Sequence, residues 1–210
     1  MPILLDRSPA PSSAGLDADP TLAQALQWAQ SQVQPDHVIV KVELDGELLG
    51  SASDNSGLLA ERTLAISTRP RKDLALTTIG KLAALIEWLA PQHKDVAQLL
   101  EQGNTNTAMT RLAELISAWH QIQEAYSNLA RFLNITMNQL PVRDLGSAGG
   151  EIVLNEFCNQ LAEMQTALKN QDFVLLADIL QYEMDGAVAN WISLLESTLA
   201  IVEPSSATVN

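Results

Sequence analysis

The sequence is poor in the residue types from which most enzyme sites are built. It has one cysteine, Cys158, and three histidines, His37, His93 and His120, in 210 residues. A single thiol forms no intramolecular disulfide and no multi-cysteine metal site, a pattern that fits a reducing compartment. Zinc needs three or four converging ligands, yet no two histidines stand four apart. Neither His-Glu-x-x-His nor the Glu-x-x-His of helix-bundle di-iron sites occurs. The sequence therefore predicts no metal and no cofactor. Aromatics are also scarce, at 4%, while Leu and Ala dominate, which favours helices over a β-sandwich. Basic residues are few: 12 Lys and Arg stand against 25 Asp and Glu, a net charge of −13. Such a chain repels phosphate backbones and anionic lipid, so neither nucleic acid nor a membrane is an expected partner. No apolar run approaches the ~18 to 20 residues of a membrane span. The apolar run near Met1 is short, is followed at once by Asp6 and has no basic stretch before it, unlike a signal peptide. The expected location is the cytoplasm.

What the chain does contain is a large apolar fraction, 47%, enough for a substantial core. Residues 1–18, rich in Pro, Ser, Ala and Asp without periodicity, are expected to be disordered, as is the tail 204–210. Asp19-Pro20 reads as a cap and first residue of a short helix through about residue 33. At residues 37–44 the period changes to two, with Val38, Val40, Val42 and Leu44 on one face. Asp45-Gly46 suits a tight hairpin turn, residues 47–49 return, and residues 63–68 make a plausible third strand. So small an antiparallel element needs a helix to pack on, and residues 19–72 are expected to pack on the bundle that follows.

From Asp73 the pattern is helical. A helix over 73–90 is expected to stop at Pro91, with a short second one over 92–102 ending at Gly103. A long helix reaches about residue 134, with Leu112, Leu115, Trp119, Ile122, Tyr126, Leu129 and Leu133 in one stripe. Residues 146–150, Gly-Ser-Ala-Gly-Gly, lack a P-loop lysine and read as a flexible linker. Helices over about 151–169 and 172–202 follow, the last bent at Gly186. The fold expected is α+β, predominantly α: an antiparallel helical bundle over 73–203 with a small N-terminal helix and antiparallel β-hairpin. Leu112-Ala-Glu-Leu-Ile116 and Leu176-Ala-Asp-Ile-Leu180 match in character, either as a trace of duplication or as coincidence in a Leu/Ala-rich chain.

Candidate chemistry is sparse. His120, Glu124 and Arg131 share a helix face opposite the apolar stripe, where a solvated ion pair outweighs acid–base work. Cys158, beside Phe157, reads as a buried, inert thiol. Charge is uneven, with +3 over residues 60–94 and −8 over 151–210. On the last helix Phe173, Leu176, Leu180, Met184, Ala187, Trp191 and Leu195 project to one face. Asp178, Tyr182 and Asp185 project to the other, as an ordinary solvated face or as a docking surface for a basic partner with Tyr182 as anchor. Arg69, Arg71 and Lys72, taken as a loop before the first bundle helix, are candidates for an anionic ligand or for the acidic helix of a second copy. Trp88, Trp119 and Trp191 are candidate linings of an apolar interhelical pocket.

Residues 172–183, Asp-Phe-Val-Leu-Leu-Ala-Asp-Ile-Leu-Gln-Tyr-Glu, followed by Trp191, resemble a motif of uncharacterised bacterial helical proteins, over roughly the last forty residues. The helical hairpins resemble the flagellar export chaperone bundle in shape, although the strand element departs from that pattern. Neither resemblance implies an activity or transfers a residue role. The expected function is a non-catalytic protein-interaction module, an adaptor or chaperone-like bundle that binds a protein partner or itself. The alternative is a small-molecule binder or enzyme with an apolar pocket between helices.

Overall fold

In the computed structural model of the chain, residues 3–9, 20–49 and 62–203 are described. The backbone divides into two units, Met1–Leu74 and Ala75–Asn210, each with its own apolar core. The fold is α+β and predominantly helical, as the residue pattern predicts.

The first unit is a five-stranded mixed sheet with one helix, α1 (Leu22–Gln32). Strands β1 (Ile3–Leu5), β2 (Ser8–Pro9), β3 (His37–Leu44), β4 (Glu47–Leu48) and β5 (Leu64–Pro70) lie in the order β2-β1-β5-β3-β4. The expected hairpin is present: Asp45 and Gly46 take positive φ (53° and 87°), and β4 returns along β3. Asp45 also accepts hydrogen bonds from Arg62 Nε (2.7 Å) and the Thr63 amide (2.8 Å), which fixes the entry to β5.

Three sequence expectations for this unit need correction. Residues 3–9 are strands, not disorder: β1 pairs parallel to β5, and Asp6 and Arg7 turn the chain with φ of 50° and 66°. Asp6 then holds the turn down, accepting from the Thr68 amide and hydroxyl at 2.6 Å each. Next, the inward residues of β3 are Ile39, Val42 and Leu44, while Val40 is exposed. The register shifts between Ile39 and Lys41, and such a bulge breaks the simple alternation. Finally, α1 is capped by Thr21, whose side chain accepts from the Gln24 amide in a capping box; the residue offered as its cap, Asp19, lies outside the described residues. The apolar face of α1 (Leu22, Ala25, Ala29) shares a core with Ile3, Leu44, Leu64 and Ile66, so the sheet finds its helix within its own unit.

The second unit is an antiparallel helical bundle. It comprises α2 (Arg71–Glu101, which starts in the first unit), α3 (Thr105–Leu133), α4 (Gly149–Lys169), α5 (Phe173–Asp178), a π-helical turn (Ile179–Glu183) and α6 (Met184–Val202). A short 3-10 turn, Met137–Gln139, lies between α3 and α4. Pro91 does not stop α2. Proline in a helix interior costs about 3 kcal/mol, but Leu82, Ile86 and Leu89 before it and His93, Val96, Ala97 and Leu100 after it are all buried. Burying an aliphatic side chain stabilises by about 1.5–3 kcal/mol each, so the core holds both halves in one helix. The α2 helix is long and apolar enough to cross a membrane by length and composition, while this stripe of it lies in the bundle core.

Residues 146–150 are not a flexible linker. Val142 and Gly146 form a β-bridge, and Gly149 and Gly150 are buried as the first residues of α4. A Cβ on Gly149 would stand 2.6 Å from Val142 Cβ, and one on Gly150 would stand 2.9 Å from the Met137 carbonyl. The glycines are there because backbone packs on backbone.

Candidate functional site

The bundle core is built round five rings. Trp119 lies with its ring centre 4.6 Å from Phe157, 5.9 Å from Trp191 and 6.0 Å from His93, and Tyr126 meets Trp191 edge to face at 5.6 Å. Helix periodicity puts Trp119 and Tyr126 on the buried stripe of α3, as the sequence predicts, and Trp191 on that of α6. Two polar links tie these rings together. Trp119 Nε1–H donates to His93 Nε2 at 2.9 Å, so the neutral imidazole carries its proton on Nδ1, 3.4 Å from the Ala90 carbonyl. Burial pushes the His93 pKa below 6.5, against the opposing pull of the Ala90 carbonyl and Asp185. The Thr198 hydroxyl donates to the Leu194 carbonyl at 2.9 Å and lies 3.0 Å from the Tyr126 hydroxyl, which also reaches the Met137 sulfur at 3.8 Å. Burial raises the Tyr126 pKa above 10.0, only partly countered by Thr198. Trp191 Nε1 has no hydrogen-bond partner among the described residues. These polar groups are buried in the core, where they join α2, α3 and α6.

The surface is more informative. On α5 and the π turn, Val174 and Tyr182 are 76% and 72% exposed, and Leu175 is 44% exposed. Val174, Leu175 and Asp178 are neighbours at spacings of four and three. In the π turn the Met184 amide bonds the Ile179 carbonyl, five residues back, so residue i+5 stacks over residue i. Ile179 and Met184 are accordingly both buried, and Asp178 and Glu183 both exposed. The stripe Val174, Leu175, Asp178, Tyr182 and Glu183 therefore faces solvent as one strip. The last helical segment holds this π turn at Ile179–Glu183, and Gly186, the site of the expected bend, lies in the first turn of α6.

Asp178, Tyr182 and Asp185 are all exposed, as their spacing predicts. Asp185 does not stand with the other two in character, because its carboxylate is held by Lys94 at 2.7 Å. Asp178 and Glu183 have no ion-pair partner among the described residues. Exposed Val174 and Leu175 were missed by sequence reasoning, since an apolar residue at a helix start reads as core. Arg69, Arg71 and Lys72 are not a loop. Arg69 is exposed on β5, Arg71 opens α2 with its amide donating to the Asp36 carbonyl, and both Arg71 and Lys72 take part in interactions within the chain.

Other candidates fall apart. His120 and Glu124 form no ion pair, and Arg131 bonds Asn128 instead at 2.6 Å. Cys158 is exposed, because Phe157 takes the inward position of α4. Among the described residues no three or more His, Cys, Asp or Glu side chains gather as metal ligands. Trp119 and Trp191 are core, not pocket lining. Trp88 is 59% exposed and borders a groove of about 270 Å³ with Gln92, Val96, Arg111, Glu114 and Leu115. A larger groove of about 470 Å³ lies between α3 and α4, walled by Ile116, Leu161, Met164 and Leu168 with His120, Gln123 and Gln165 beside them. The two five-residue segments that match in character differ in local structure: residues 112–116 lie in regular α3, and residues 176–180 run from α5 into the π turn.

No curated protein and no solved structure matches the chain. A family model described as a domain of unknown function (DUF8042) matches residues 77–194, more than half of the chain. The matched span holds both grooves, the aromatic core and the strip on α5 and the π turn, and it leaves out the sheet. On that match, the chain belongs to the DUF8042 family, whose domain is this helical bundle.

Proposed function

We propose that this protein is a non-catalytic, cytoplasmic protein-interaction module, an adaptor or chaperone-like bundle that docks a protein partner on the strip formed by α5 and the π turn. The observation that carries the reading is the exposure of Val174, Leu175 and Tyr182 along one strip. Large apolar side chains grouped at a surface mark contact sites, and Tyr is favoured at the energetic centre of interfaces. The π turn supports it further, since such turns are rare and recur at functional positions. Affinity capture with the full chain tests the proposal. The Val174→Ser/Tyr182→Ala variant should fold normally by circular dichroism and lose a partner that the unaltered protein retains. Equal recovery by both proteins would rule this strip out.

A second reading rests on the groove between α3 and α4. Its volume, about 470 Å³, and its apolar walls with three polar side chains beside them fit a small-molecule site. Saturable thermal stabilisation by a metabolite, lost on Ala162→Trp, would favour that reading over the first.

A further inference from the structure

Taking the docking strip as its basis, we infer that the partner is a basic amphipathic helix of another protein, and not a second copy of this chain face to face. The argument starts from charge. From residue 170 to residue 203 there is no Lys or Arg, while Asp172, Asp178, Glu183, Asp185, Glu196 and Glu203 are acidic. Asp172 caps α5 by accepting from the Leu175 amide at 3.0 Å, Asp185 is held by Lys94, and Glu203 also takes part in an interaction within the chain. Asp178 and Glu183 have no ion-pair partner among the described residues; they stand one π turn apart, beside exposed Val174, Leu175 and Tyr182. The strip thus offers apolar anchors interleaved with uncompensated negative charge.

A two-fold homodimer would bring this strip against itself. That would bring the uncompensated carboxylates of both copies, Asp178 and Glu183, into one interface, and like charges brought together at an interface are repulsive. The complementary surface is apolar with Lys or Arg at its flanks. Tyr182 lies eight residues on from Val174, roughly 12 Å of helix rise at about 1.5 Å per residue. That length matches about two turns of a facing helix, presented as anchors at i, i+3, i+4 and i+7.

Fluorescence anisotropy with the full chain tests this. The probes are a labelled helix-forming Leu/Lys peptide with leucines at i, i+3, i+4 and i+7, and its Leu/Glu counterpart. The Leu/Lys peptide should bind saturably and weaken with added salt, and the Leu/Glu peptide should not bind. Asp178→Lys/Glu183→Lys should weaken the Leu/Lys peptide by about an order of magnitude. Tyr182→Ala, which leaves the charge unchanged, should weaken it as well. No binding, equal binding of both peptides, or indifference to either variant overturns the basic-helix assignment. If capture in cells still depends on Val174 and Tyr182 in that event, the docking strip survives and only the partner class is wrong. A salt-sensitive dimer in sedimentation, abolished by Asp178→Lys/Glu183→Lys, would instead identify the basic stretch around Arg69 of a second copy as the occupant.

Discussion

Replacing Gly149 with alanine should destabilise the bundle, although alanine is the better helix former. The added Cβ would lie 2.6 Å from Val142 Cβ and 2.7 Å from Val142 N. Carbon atoms pack best at about 3.5–4.0 Å, so the overlap is roughly 1 Å. Val142 cannot yield freely: it is buried, and its amide donates to the Gly146 carbonyl at 3.2 Å. Overpacking of this kind costs about 1–3 kcal/mol. The propensity gain of Ala over Gly is at most about 1 kcal/mol in a helix interior and is smaller at the first residue of α4. The expected net loss is about 1–2 kcal/mol, or roughly 2–8 °C in Tm at this chain length. Gly80 and Gly186 are the internal controls, because a Cβ on either meets nothing within 4 Å. Alanine there should raise stability by about 0.5–1 kcal/mol each. Urea unfolding followed by tryptophan emission reads all three, since Trp119 and Trp191 sit in the bundle core. Gly149→Ala as stable as the unaltered protein would refute the close-packing argument and restore the flexible linker.

Three other outcomes follow from named contacts. His93 is held below its ordinary pKa, so the unfolded chain takes up a proton before the folded one does. Stability should therefore fall as the pH drops below about 6.5 and level off beneath the folded-state pKa, and His93→Gln, which keeps an acceptor for Trp119, should flatten that slope in denaturation curves between neutral and mildly acid pH. Tyr126→Phe should cost about 0.5–1.5 kcal/mol, and a double-mutant cycle with Thr198→Val should show coupling; additive losses would mean that the 3.0 Å contact contributes nothing. Asp6→Ala removes both hydrogen bonds to Thr68 and should speed limited proteolysis before residue 20. Because those bonds hold the Asp6 carboxyl below 3.8, the same loosening should appear in the unaltered protein only when acid protonates it, and unchanged cleavage in the variant would show that the strand is held by other contacts.

The helix stripes were legible because burial and periodicity agree. Leu112, Leu115, Trp119, Ile122, Tyr126 and Leu129 are buried as their spacing demands, and Leu64 and Ile66 are buried as strand alternation demands. The Asp45-Gly46 turn was legible because that dipeptide tolerates positive φ. The Asp6-Arg7 turn carries no such signal, since arginine rarely adopts positive φ, and β1 finds its parallel partner some sixty residues away. The docking strip was half legible. Spacing exposes Asp178 and Tyr182, but no rule on one helix shows that Lys94 takes Asp185 or that Val174 and Leu175 stay uncovered.

By itself, then, the sequence determined which residues are apolar at helical or strand spacing, and so the fold class, the core of the bundle and its acidic last third. Those are local properties, set by side-chain chemistry and backbone periodicity within a few turns. Only the tertiary structure decided that α2 runs through Pro91, that Gly149 and Gly150 are contact points, and that a π turn stacks Glu183 over Asp178. Each of these depends on atoms distant in sequence or on a turn geometry that packing selects. A local cost such as a proline in a helix is tolerated where buried contacts on both sides outweigh it.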